Sequence, residues 1–106
     1  MTAINMDTQL FTKALQEGGK PVLVEFWAPW CVYCRRIAPA FDEVSQELSE
    51  ALIAGRVNID ENPALADREQ VELIPTLILY RDGKRIGSVT APKSKAELRE
   101  FIDRSL

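Results

Sequence analysis

Apolar residues along the chain fall into runs of two kinds, and the two kinds alternate. Leu10, Phe11, Ala14 and Leu15 recur at the spacing of one helix face, with Asp7 or Thr8 as the cap and Gly18-Gly19 as the stop. Pro21 opens Val22-Leu23-Val24-Glu25-Phe26-Trp27, a continuous apolar run with one charge in its middle. Such a run reads as a central strand buried on both faces. A helical period returns from about Cys31 to Leu48, with Ile37, Phe41, Val44 and Leu48 inward. Pro39 removes a backbone donor there and is placed to kink the helix. Leu52 to Ile59 reads as a second strand, and Asn62-Pro63 opens a short helix through Ala64, Leu65 and Ala66. Thr76-Leu77-Ile78-Leu79-Tyr80 is a strand, Asp82-Gly83 a hairpin turn, and Lys84 to Thr90 the antiparallel return. Ser94 begins a last helix, Glu97 completes a capping box, and Leu98, Phe101 and Ile102 form the apolar face.

This alternation predicts an α/β fold. A parallel strand pair is joined by a crossover helix, a hairpin extends the sheet, and helices cover both faces. With no linker, repeat or low-complexity segment, one domain is expected over residues 1–106.

Composition narrows the function. The 106 residues, 46% hydrophobic and 27% charged, suit one soluble globular domain. Thirteen Lys and Arg against sixteen Asp and Glu leave a net charge of −3, so no basic excess exists to neutralise nucleic-acid phosphates. The absence of histidine removes Ser-His-Asp and Cys-His arrangements and imidazole metal sites. Two cysteines cannot complete a four-ligand zinc site within one chain, and no metal is expected. No run approaches the roughly 20 apolar residues of a membrane helix. Met1-Thr2-Ala3-Ile4-Asn5-Met6-Asp7 has neither a basic region nor an apolar run, so no signal peptide is expected and the cytosol is the expected compartment. A structural disulfide would be out of place there. Small size and no obvious apolar patch lead us to expect a monomer.

The chemistry concentrates at Cys31 and Cys34, which follow the buried strand and open a helix. Backbone N–H groups at a helix start lack intrahelical partners, and the dipole there is positive, so a thiolate is stabilised. Cys31 is the helix-end residue and the attacking thiol. Cys34 lies about one turn on, roughly 5–6 Å away between Cβ atoms. It is placed to attack a mixed disulfide formed at Cys31, which completes a two-electron exchange. A static staple is disfavoured, because closing so short a loop constrains the unfolded chain little.

Phe26-Trp27-Ala28-Pro29-Trp30-Cys31-x-x-Cys34 resembles the active-site strand and turn of the thioredoxin family. Val57-Asn58-Ile59-Asp60-Glu61-Asn62-Pro63, Ile74-Pro75-Thr76 and Asp82-Gly83 match in order and spacing through nearly the whole chain. The resemblance implies the thioredoxin fold, a central mixed sheet with helices on both faces, and thiol–disulfide exchange on proteins. It makes Cys31 the nucleophile, Cys34 the resolving cysteine and Pro75 the cis-proline. The Ile74 backbone would pair with an extended substrate segment, and Trp30 would flank and shield the site. No cofactor is implied; reducing equivalents would come from a thioredoxin reductase, and disulfide-containing proteins would be the substrates. Glu25 stands where the family usually has Asp, beneath the second cysteine, and is assigned as the proton relay with a raised pKa; the competing environment is an ion pair with Arg56.

The chain departs from the family between the cysteines, where Val32-Tyr33 replaces Gly-Pro. Tyr33 restores an N–H that proline lacks. If that N–H meets the Cys31 sulfur it favours the thiolate, and the disulfide becomes a better oxidant by about 30–60 mV. Val32 and Tyr33 also enlarge the apolar surface beside the cysteines. Ala91-Pro92 stands where a glycine near the substrate groove is common, and Ala91 is expected to narrow the cleft. Three other roles compete with the disulfide reductase. One is an oxidant or isomerase, disfavoured without an active-site His. Another is a Cys-x-x-Cys module joining two chains around a metal or cluster. The third is a partner-binding subunit with idle cysteines.

Overall fold

A computed structural model describes residues 3–106. Met1 and Thr2, with which the N-terminal reading begins, lie outside the described residues. In chain order the elements are β1 (Ile4–Asn5), α1 (Thr8–Glu17), β2 (Val22–Trp27), α2 (Val32–Glu47), β3 (Ile53–Asn58), α3 (Pro63–Arg68), β4 (Thr76–Arg81), β5 (Lys84–Thr90) and α4 (Lys95–Ser105). The sheet runs β1-β3-β2-β4-β5. β2 is parallel to β3 and antiparallel to β4, β1 is parallel to β3, and β4 and β5 form the antiparallel hairpin. This is the expected α/β architecture, a mixed sheet with helices.

Side-chain alternation divides the core. Val22, Val24 and Phe26 of β2 join Ile78 and Tyr80 of β4 in one apolar layer with Phe11 and Ala14 of α1 and Leu65 of α3. Leu23 joins Leu77 and Leu79 in the other, with Phe41 and Val44 of α2 and Leu98, Phe101 and Ile102 of α4. Glu25 shares the parity of Leu23, so it lies on the side covered by α2 and α4. Its neighbours across the sheet are Arg56 of β3 and Leu77 of β4.

Several expectations shift. β1 was not visible in the pattern, because two exposed residues on a sheet edge cannot show alternation. α1 turns Phe11 and Ala14 inward but leaves Leu10 exposed, at the rim of a small depression with Trp27 and Arg56. α2 begins at Val32, one residue later than expected, because Cys31 caps it, and it continues through Pro39. Asn62 does not cap α3 with its side chain; the amide donates to the Asn58 carbonyl oxygen at 3.1 Å instead. Ser94 caps α4 by accepting from Glu97 N–H at 3.1 Å. The reciprocal bond reaches Lys93 N–H, one residue before the cap. Asp82 and Gly83 both have positive φ, 54° and 77°, as a tight type I′ hairpin turn requires. No described helix is long and apolar enough to cross a membrane.

Gly55 lets Met6 cross β3, because a Cβ there would collide with the Met6 thioether. Gly55→Val is expected to destabilise the protein by about 1–3 kcal/mol through overpacking. Denaturant unfolding checks this. Adding Met6→Ala should return part of that loss, and strict additivity of the two changes would exclude the collision as its cause.

Candidate active site

The site forms where β2 ends and α2 begins. Cys31 has extended backbone angles, φ −83° and ψ 116°, and serves as the N-cap of α2. Its sulfur accepts the N–H of Cys34 at 3.1 Å, so the side chain takes over a bond that the helix cannot make within itself. The expected donor, Tyr33 N–H, does not fill this role. A cap accepts from the second or third helical residue, and here the third, Cys34, is aligned. The Val32-Tyr33 pair therefore adds no bond to the sulfur, and the shift toward a better oxidant loses its basis.

Both cysteines are free thiols packed with Ala28 against Trp27, Ile59 and Ile74. Cys31 is 6% exposed and Cys34 1%, so Cys31 is the more accessible of the two. The Cys34 thiol is pushed up to about 12, first by burial and then by its hydrogen bond with Cys31; the negative charge of Glu25 acts in the same direction.

Glu25 is fully buried and combines the two environments set against each other above. Arg56 Nε donates to Oε1 at 3.1 Å, while Oε2 has no hydrogen-bond partner in the protein. Arg56 also lies 4.3 Å from the centre of the Trp27 ring. Burial outweighs the attraction of Arg56 and raises the carboxyl from 4.5 to about 7.

Around the cysteines, the Ile74–Pro75 peptide is cis, and the Ile74 carbonyl oxygen lies 3.7 Å from the Cys31 sulfur. Pro75 O accepts Ala91 N–H at 2.8 Å, which joins the two loops beside the site. Ala91 has φ 48°, a left-handed conformation that glycine adopts at lower cost than alanine. Trp30 is 63% exposed, Tyr33 61%, and Val32 is exposed beside them. Trp30 Nε1 donates to Asp60 Oδ2 at 2.9 Å, which fixes the ring at the rim. The structure thus brings together Cys31, Cys34, Ile74, Pro75 and Ala91, with Glu25 beneath and Trp30, Val32 and Tyr33 at the surface. It adds two residues not singled out by sequence. Asp60 meets Trp30 across thirty residues, a contact with no local signal. Leu73, next to Ile74, is an exposed apolar side chain in a short segment whose periodicity says nothing. Among the described residues no group of three or more His, Cys, Asp or Glu gathers to hold a metal ion.

Comparison with known proteins agrees with this geometry. The family model described as Thioredoxin matches residues 2–104. Thioredoxin 1 of Synechococcus elongatus is 41% identical over 96 residues, covering 91% of this chain and 90% of its own. The thioredoxin of Acidithiobacillus ferridurans is 40% identical over 96 residues, covering 91% and 89%. Thioredoxin M-type, chloroplastic, of Chlamydomonas reinhardtii is 36% identical over 104 residues, covering 98% and 73%.

The raised carboxyl has a stability consequence. Glu25 holds its proton more tightly folded than unfolded, so its contribution is complete below 4.5 and lost as pH rises through about 7. The whole displacement corresponds to about 3 kcal/mol. Unfolding free energy should fall between pH 4.5 and 7.5, and Glu25→Gln should flatten that fall. A fall equally steep in the variant would place the titrating group elsewhere.

Proposed function

The chain belongs to the thioredoxin family, a family of thiol–disulfide oxidoreductases, and from that membership we propose a reaction cycle for its two cysteines. The observation that carries it is the Cys31 sulfur accepting the free N–H of a helix start, with a protonated Cys34 directly behind. The Cys31 thiolate attacks one sulfur of a substrate disulfide. The substrate S–S bond breaks, a Cys31–substrate S–S bond forms, and one substrate thiolate leaves. Cys34 must then lose its proton to attack the Cys31 sulfur, and its burial opposes that loss. Glu25 serves as the base, because a carboxyl near 7 exchanges a proton readily at neutral pH. Attack by Cys34 forms Cys31–Cys34, breaks the Cys31–substrate bond, releases the second substrate sulfur as a thiolate with the Cys34 proton left on Glu25, and moves two electrons from protein to substrate.

Ile74 and Pro75 line the substrate strand, Trp30 and Tyr33 flank it with Val32, and Ala91 narrows its far side. The oxidised protein returns to the dithiol through a thioredoxin reductase. It holds no cofactor of its own, acts in the cytoplasm, and uses disulfide-containing proteins as substrates. Nothing in the site favours the oxidant, cluster-binding or idle-cysteine roles.

Cys31→Ser should abolish reduction of a protein disulfide such as insulin's. Cys34→Ser should accumulate the mixed disulfide, visible as a mass increase equal to the substrate. Glu25→Gln should retain the first step and slow release of the reduced product at least about tenfold near neutral pH. Resolution at the same rate as the parent from pH 6 to 9 would remove Glu25 from the mechanism.

A further inference from the structure

Beside the cysteines lies a groove of about 500 Å³ lined by Tyr33, Arg36, Ile37, Ala91, Pro92 and Lys93. Tyr33 is the second residue of α2 after the Cys31 cap, and Ala91 is tied to Pro75 by its N–H, so the groove adjoins the proposed substrate strand. Its floor is apolar, from Ile37, Ala91 and Pro92. Its rim carries two cations and no carboxylate, in a chain whose net charge is −3. Both cations are exposed, and among the described residues neither side chain enters an ion pair. Glu97 accepts Lys93 N–H with Oε1, and Lys95 pairs with Glu43 and Glu47. Arg36 stands 5.4 Å from the centre of the Tyr33 ring, a stacking that holds its guanidinium at the rim.

We infer that this groove selects disulfide substrates whose cysteine is flanked by an apolar side chain followed by an acidic one. The apolar group covers the Ile37–Pro92 floor, and the carboxylate meets Arg36 and Lys93. The specificity rests on the oxidoreductase cycle above and adds to it a charge preference. Aromatic and apolar surface at Trp30 would hold any extended segment, whereas the two cations distinguish one segment from another.

The test uses three disulfide-linked peptide dimers of one sequence, each with a leucine beside the cysteine and then Glu, Gln or Lys. The reduced protein supplies two electrons per dimer, and single-turnover rates are followed by tryptophan fluorescence at low ionic strength. The Glu dimer should react about fivefold faster than the Lys dimer, the scale of two exposed ion pairs, with Gln between. The preference should shrink at about 0.5 M salt, where charges are screened within a few ångströms. In R36E/K93E the order should invert. Comparing rates within each protein cancels any general effect on the cysteines. Equal rates for Glu and Lys, or a preference that survives the double reversal, would overturn the inference. Bis(2-hydroxyethyl) disulfide separates the two levels. If the parent protein reduces it but shows no charge preference, the groove alone is wrong. If the parent does not reduce it, the reaction cycle fails and the groove's role with it.

Discussion

A strand covered on both faces has no free surface along its length. β2 is such a strand, paired on each edge and layered on each side by helices, so a reactive group can reach solvent only where the strand ends. The chain leaves β2 at Trp27 and enters α2 at Val32, and the short turn between them must serve as both exit and helix cap. Cys31 occupies that turn. The loops at Ile74–Pro75 and Ala91 reach the same end of the sheet because β4 begins and β5 finishes there, as the pairing of Thr76 with Thr90 records.

Burial of β2 also makes its single charge consequential. Glu25 lies between Arg56 and Leu77 in the sheet, with one oxygen bonded and the other facing the interior. Arg56, partly exposed, bonds Oε1 and leaves Oε2 without a partner. The result is a carboxyl held between two states rather than committed to either. Cys34, above it on α2, is held firmly in one. The same apolar cover produces both displacements, and both run toward the protonated form, further for the thiol than for the carboxyl.

What the sequence disclosed follows from the range of each interaction. The strand run Val22–Trp27, the Asp82-Gly83 turn and the cap at Ser94 are local, and each was legible. Cys31 and Cys34 were legible too, because strand, turn and helix lie within one short stretch. Glu25 was recognisable as anomalous, but its environment depended on Arg56, thirty-one residues away, and on α2 overhead. β1 has no pattern of its own and exists only because β3 offers an edge. The cap donor was misassigned by one residue, since the choice between Tyr33 N–H and Cys34 N–H depends on how the first turn closes rather than on which residues compose it.

That first turn links the sulfur to helix order. The Cys31 sulfur closes the first turn of α2 by accepting Cys34 N–H, so the order of that turn and the bonding of the sulfur are coupled. Coupling of this kind is reciprocal: a change at the sulfur alters the turn, and a change in the turn alters the sulfur. Val32, β-branched, and Tyr33, aromatic, lie within that turn, and both residue types are modest helix formers. Both side chains are exposed and outside the packed cluster around the sulfurs, so the backbone of the turn is what they share with the site.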